Sequence, residues 1–177
     1  NMPLFGYGCK AFMLSLLENA ARVSGEQLTA DEVTKIIRLG KGLLQLPAQP
    51  IDGVEETLKT LHDAGKYHLV VFTKGELLDQ ESKFKRSGLH AYFDDFVVVS
   101  DKTESSYHRL CRQFGIKVGQ LLMVGNSFRS DIEPVLKLGG WAAHIPFRTV
   151  WQHEVVEEYD HPHLMRLDDF SQLKNLL

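Results

Sequence analysis

The stretch Leu121-Leu-Met-Val-Gly-Asn-Ser-Phe-Arg-Ser-Asp131 decides the fold of this 177-residue chain. Its first four residues form an uninterrupted apolar run, the pattern of a buried strand. Gly125 breaks the run, and Asn126, Ser127, Ser130 and Asp131 set polar groups at its carboxyl end before a helix begins. In an open parallel sheet, that end is where ligands bind. The pattern occurs twice earlier, where Leu69-Val-Val-Phe72 runs into Thr73-Lys74-Gly75 and Phe96-Val-Val-Val99 runs into Ser100-Asp101-Lys102. These strand ends deliver a hydroxyl, an ammonium group and a carboxylate with an amide, a set that suits a phosphate with a magnesium ion.

Outward from these strands the chain alternates. Asp52 and Glu55 can cap a helix carrying Val54, Leu58 and Leu61, which Gly65 stops before a strand over residues 67–72. The spacing predicts further helices over 77–87, 105–114 and 131–138, closed by Gly88, Gly115 and the pair Gly139-Gly140, and strands over 96–99, 121–124 and 141–145. A short strand over 164–167 and a helix through Leu177 complete the pattern. Such alternation implies right-handed crossovers and a Rossmann-like α/β fold, a parallel sheet with helices on both faces.

Ahead of this region the pattern is helical only. Phe12, Met13, Leu16, Leu17, Ala20 and Val23 recur at helical spacing over residues 10–24, and Gly25 is placed to end that helix. Thr29 and Glu32 form a capping-box pattern before Val33, Ile36, Ile37, Leu43 and Leu44. Pro47-Ala-Gln-Pro50 is stiff and unsuited to a helix interior, so the expected junction separates a small helical domain, residues 1–49, from an α/β core, residues 50–177.

Composition narrows the function. A hydrophobic share of 44% supports one well-buried core with an accessory element. The net charge of -3 and a pI near 6.2 weigh against a nucleic-acid surface, which is usually strongly basic. Cys9 and Cys111 have no CxxC spacing, so neither a disulfide framework nor a zinc site is expected, and a reducing cytoplasm is the expected setting. No apolar run approaches the roughly 18 residues of a membrane span. His153, His161 and His163 flank Pro162 among acidic residues, which fits a solvated loop better than a metal site.

Phosphoryl transfer asks a protein mainly for positioning and charge neutralisation. Thr73, Lys74 and the backbone amides around Gly75 can bind phosphate oxygens, Lys102 supplies positive charge, and Asp131 with the Asn126 carbonyl offers oxygen ligands for Mg2+. Taken singly, each has a structural explanation: a strand-end Thr is commonly a cap, a loop Lys is commonly solvated, and an Asp opening a helix is commonly its N-cap. Their recurrence at successive strand ends favours the chemical reading.

Residues 51–145 resemble the haloacid dehalogenase superfamily in Thr73 after a strand, Lys102 in Ser-Asp-Lys, and Gly125-Asn126-Ser-Phe-Arg-Ser-Asp131. Most members of that superfamily are magnesium-dependent phosphatases. The resemblance implies that Thr73 binds the transferring phosphoryl group, that Lys102 pairs with nucleophile and phosphate, and that Asp131 binds magnesium. The helical pair from Lys10 to Leu44 is similar to the cap that many members insert after their first strand.

Two departures stand out. Asn126 occupies a position where many of these phosphatases have Asp, which keeps an oxygen ligand and removes one negative charge. The nucleophile of the family lies in an Asp-x-Asp stretch on a first strand ahead of the cap, yet residues 1–9 contain no Asp, and the pairs Asp94-Asp95 and Asp168-Asp169 lie elsewhere. The expectation is an N-terminal segment of roughly 30 to 60 residues carrying that strand, without which the chain is inactive. In the family that strand separates the strand before Thr73 from the strand before Asn126, so a direct ladder between those two is not expected.

The expected activity is hydrolysis of a small phosphorylated metabolite through an aspartyl-phosphate. A dehalogenase of the same superfamily is the enzymatic alternative. A receiver domain also sets Asp, Thr and Lys at strand ends, but its acceptor Asp precedes the other two, whereas Asp131 follows them. A non-catalytic interaction protein lacking the first strand is the remaining alternative.

Overall fold

The computed structural model describes residues 1–25, 27–148 and 152–176, without the His153 side chain. In chain order its elements are α1 (Met2–Phe5), α2 (Cys9–Val23), α3 (Ala30–Leu44), α4 (Val54–Ala64), β1 (Val70–Lys74), α5 (Leu77–Ser87), β2 (Asp95–Val99), α6 (Glu104–Gln113), β3 (Leu122–Gly125), α7 (Glu133–Lys137), β4 (Trp141–His144) and β5 (Leu164–Arg166). All ladders among the described residues are parallel. The chain divides into two compact units, Asn1–Pro50 with Val70–Ser100, and Ile51–Leu69 with Asp101–Leu177. The helical segment expected over 1–49 therefore falls in one unit with β1, α5 and β2.

In the first unit, α2 and α3 pack as a pair. Gly40 of α3 is buried against Met13, and a β-carbon there would overlap the Met13 sulfur, so a glycine permits the close approach. Thr29 caps α3 reciprocally: its N–H donates to Glu32 Oε2 at 2.8 Å, and the Glu32 N–H donates to Thr29 Oγ1 at 3.3 Å. β1 pairs with β2, setting Thr73 opposite Val98 and Lys74 opposite Val99. On this pair, Phe84 of α5 stacks on Phe96 with centroids 4.8 Å apart.

In the second unit the strand order is β3-β4-β5. Adjacent strand residues point to opposite faces, and Ala142 and Ala143 of β4 accordingly join different clusters. Ala143 packs with Leu61, Leu167 and Leu173, while Ala142 packs with Phe128, Ile132 and Leu136. This sheet is thus covered on both faces. Ile132 and Val135 have no exposed surface, and each such side chain contributes roughly 1.5–3 kcal/mol of transfer free energy.

Several boundaries differ from the sequence expectation. The strand expected over 67–72 lies at Val70–Lys74, because its partner runs Asp95–Val99, so Thr73 and Lys74 stand inside the ladder. Asp52 does not cap α4: the N-cap is Gly53 in the left-handed region at φ 78°, with no side-chain cap bond. The helix expected over 131–138 is a π-helical turn, Phe128–Ile132, followed by α7. Near the C-terminus, Phe170–Asn175 is a 3-10 helix capped by Asp169, and Leu177 lies outside the described residues. Among the described residues, β1 pairs only with β2 and β3 only with β4, so no ladder joins β1 to β3.

Candidate functional site

The end of β3 is built by close packing and then by polar satisfaction. A β-carbon on Gly125 would stand 2.6 Å from Asp131 Cβ and overlap its carboxylate, so the absent side chain makes the room that Asp131 fills. The chain then winds into the π-helical turn, where the Ser127 carbonyl accepts from the N–H of Asp131 at 2.8 Å and of Ile132 at 3.3 Å. Single π turns recur at functional sites because the extra residue re-aims a side chain. Here the turn brings the carboxylate back over the strand end, where Asp131 Oδ2 accepts the Ser127 N–H at 3.0 Å.

Asp131 Oδ1 accepts from Lys102 Nζ at 2.6 Å, and the two side chains are only 8% and 10% exposed. Breaking such a buried pair from one side typically costs about 3–5 kcal/mol, since the other charge is left uncompensated. Lys102 is carried by the residues entering α6. Thr103 caps that helix, accepting from Ser106 N–H at 3.3 Å, while the Thr103 N–H donates to Ser106 Oγ at 2.8 Å. From the same helix the fully buried Tyr107 donates its hydroxyl to the Ser130 carbonyl at 3.0 Å. Burial, and secondarily the Asp131 charge, push the Tyr107 phenol far above its ordinary value, so it remains a donor.

Ser127 and Ser130 both donate their hydroxyls to Glu154 Oε2, the second at 2.6 Å. Asn126 is exposed, and its backbone carbonyl lies 3.1 Å from His144 Nε2, a bond made by the tautomer with hydrogen on that nitrogen.

The end of β1 belongs to the other unit. Thr73 Oγ1 donates to Gln80 Oε1 at 2.9 Å. The Gly75 N–H is taken by the Val99 carbonyl at 3.0 Å, so the amide of this expected phosphate binder is engaged by β2. Gly75 has φ 142°, a conformation that side-chain-bearing residues rarely adopt. Lys74 Nζ stands 4.5 Å from the centre of the Tyr7 ring, a cation–π contact. Thr73 and Gln80 line an open cleft of about 240 Å³ with Pro50, Lys83 and Phe84.

Of the six residues singled out from the sequence, the structure joins Lys102 to Asp131 and sets Asn126 between β3 and the turn that carries Asp131. Thr73, Lys74 and Gly75 fall in the first unit. Among the described residues, no group of three or more His, Cys, Asp and Glu side chains gathers as a metal site. Asp131 and Asn126 offer oxygen donors, the kind magnesium prefers alongside water. A carboxylate with two oxygens has lone pairs beyond those used by Lys102 and Ser127, so this donor set fits a magnesium ion.

The sequence reading missed the Thr103-x-x-Ser106 cap, whose spacing was legible. It also missed Glu154, which nothing near it in sequence connects to Ser130. His163 stacks on Trp141 with ring centroids 4.2 Å apart. The His153 side chain lies outside the described residues.

The family model of haloacid dehalogenase-like hydrolases matches residues 3–139. The chain belongs to this family. The chain is 31% identical over 140 residues to a glyceraldehyde 3-phosphate phosphatase of Methanothermobacter thermautotrophicus, a match covering 73% of the chain and 59% of that protein. It therefore spans under two thirds of that relative's length. It is 29% identical over 76 residues to the N-acylneuraminate-9-phosphatase of Rattus norvegicus, covering 40% of the chain and 31% of the relative. The crystal structure of a haloacid dehalogenase-like family hydrolase from Xanthomonas campestris superposes with a TM-score of 0.87 at 35% identity, covering 99% of this chain and 70% of that one. The Rossmann-like α/β architecture of the family is thus that of this chain. Among its described residues, no helix is long and apolar enough to cross a membrane.

Proposed function

We propose that this hydrolase is a magnesium-dependent phosphatase of a small phosphorylated metabolite, working in the cytoplasm. The observation that carries the reading is the buried Lys102–Asp131 pair at a strand end, a fixed cation beside a carboxylate with spare acceptor capacity. Phosphatases among the relatives support the substrate class. Asp131, with the Asn126 side chain, would hold the magnesium, which when bound neutralises charge on the phosphoryl oxygens.

The roles of the chain's own residues follow from their chemistry. Lys102 sets a preorganised positive charge where negative charge develops during transfer, and Asp131 keeps its ammonium oriented. Thr73, having one hydroxyl proton shared with Gln80, binds a phosphoryl oxygen by turning that proton to it, and Lys74 adds a second positive charge. Gly75 keeps side chains away from that backbone. The phosphoryl group passes from the substrate oxygen to a carboxylate and then to water, giving an alcohol and inorganic phosphate. That carboxylate belongs to an Asp-x-Asp strand supplied from outside the 177 residues, which contain no such motif. Residues 1–49 serve as the cap that covers the substrate.

The test is turnover of a general phosphatase substrate, p-nitrophenyl phosphate, with and without magnesium. The complete protein is expected to release phosphate only with the metal, and residues 1–177 alone to release none. Metal-independent turnover by residues 1–177 would overturn the reading.

A further inference from the structure

Glu154 is a buried carboxylate, 9% exposed, in a short 3-10 turn that follows the residues after β4. Buried carboxylates are costly unless they accept hydrogen bonds, and two donors to this one come from the turn that carries Asp131. Ser127 Oγ and Ser130 Oγ both donate to Glu154 Oε2. A serine hydroxyl has one proton, so giving it to Glu154 turns the Ser127 lone pairs away from that carboxylate. One of them accepts the Ser130 N–H at 3.0 Å. The same Ser127 donates its backbone N–H to Asp131 Oδ2 at 3.0 Å. A continuous chain of bonds therefore runs from Glu154 through Ser127 to the carboxylate that Lys102 grips on its other oxygen.

We infer that Glu154 is a positioning residue for Asp131, holding the π-helical turn so that the Asp131 carboxylate is presented to a divalent cation. The inference rests on the phosphatase reading for its consequence, and on geometry for its cause. Bonds from a hydroxyl to an ionised carboxylate are roughly twice as strong as neutral ones. Partners one shell out from a metal ligand commonly change affinity for the metal by about 10–100-fold.

Two measurements on the complete protein test it: hydrogen exchange of the backbone amides, and calorimetric titration with magnesium chloride. In Glu154→Ala, amides over residues 127–132 are expected to exchange at least about tenfold faster while those of β4 are unchanged. Magnesium affinity is expected to fall on the order of tenfold. Glu154→Gln should recover most of both losses, because its carbonyl accepts the same two hydroxyl protons. If Glu154→Ala does not fold, Ser130→Ala is expected to change both quantities in the same direction by less. Unchanged exchange over 127–132, or wild-type magnesium affinity in a folded variant whose turn exchanges faster, would overturn the inference. Failure of the wild-type protein to bind magnesium would instead sink the phosphatase reading, and the exchange data would still decide whether Glu154 holds the turn.

Discussion

The two strand ends that carry the candidate residues are held in different ways. After β3, the charged groups are nearly removed from water and are gripped by neighbours: Lys102 by Asp131, Asp131 by the Ser127 amide, the turn by Tyr107 and Glu154. At the end of β1, the polar groups are only half-buried. Thr73 reaches Gln80 on the next helix, Lys74 rests on Tyr7, and Glu76 caps α5 while accepting from Lys10 Nζ at 3.0 Å. A buried polar group that loses its partner bears the full desolvation penalty, whereas a half-exposed one exchanges the partner for water. The β3 end should therefore tolerate almost no change, and the β1 end should tolerate adjustment.

The strongest way to break this comparison is Lys102→Ala. In the complete protein it is expected to cost about 3–5 kcal/mol of stability, because Asp131 is left uncompensated, and, in the protein that remains folded by circular dichroism, to lower magnesium-dependent turnover on the order of 100-fold or more. Wild-type turnover in the folded variant would reduce Lys102 to a structural ion-pair partner and remove the chemical distinction between the two ends.

Gly125→Ala sharpens the same contrast without touching a charge. The new methyl would overlap the Asp131 carboxylate, so the turn must shift and the Ser127 N–H bond to Oδ2 must lengthen. Overpacking of this kind costs about 1–3 kcal/mol, read as a lower denaturation midpoint in urea. An unchanged midpoint would mean that the β3 end is as forgiving as the β1 end.

The smallest effect belongs to Glu76. The hydrogen bond from Lys10 holds its carboxyl below the ordinary carboxylate value, against a desolvation effect in the opposite direction and with help from the Asp79 and Leu78 amides. A carboxyl lowered on folding favours the folded state above its ordinary value, about 4.3, and that support is lost as pH falls through the lower folded value. Glu76→Gln is accordingly expected to be slightly less stable than the wild type near neutral pH, the two converging as pH falls through the lowered folded value. A stability offset that stays constant across that range would show that the Glu76 charge contributes nothing.

How much of this could be read from the sequence differs element by element. The Thr29-x-x-Glu32 cap, the helix over Leu77–Ser87 and the stop at Gly65 stand where local pattern puts them, because caps, apolar spacing and left-handed glycines are satisfied within a few residues. The strand before Thr73 moved toward its carboxyl end because a ladder is fixed by its partner, and β2 begins at Asp95. The three strand ends and their polar residues were likewise legible, since the change from apolar run to polar cluster is a local event.

Sequence by itself determined the alternation of helix and strand, the helical pair, and which polar residues stand at the strand ends. The tertiary structure alone decided that Lys102 and Asp131 meet, that Gly125 makes room for the carboxylate, and that Glu154 closes on Ser127 and Ser130. The physical reason is range. Propensity and capping act over one turn of chain, whereas satisfying a buried charge recruits whichever distant groups the packed core brings within hydrogen-bonding distance.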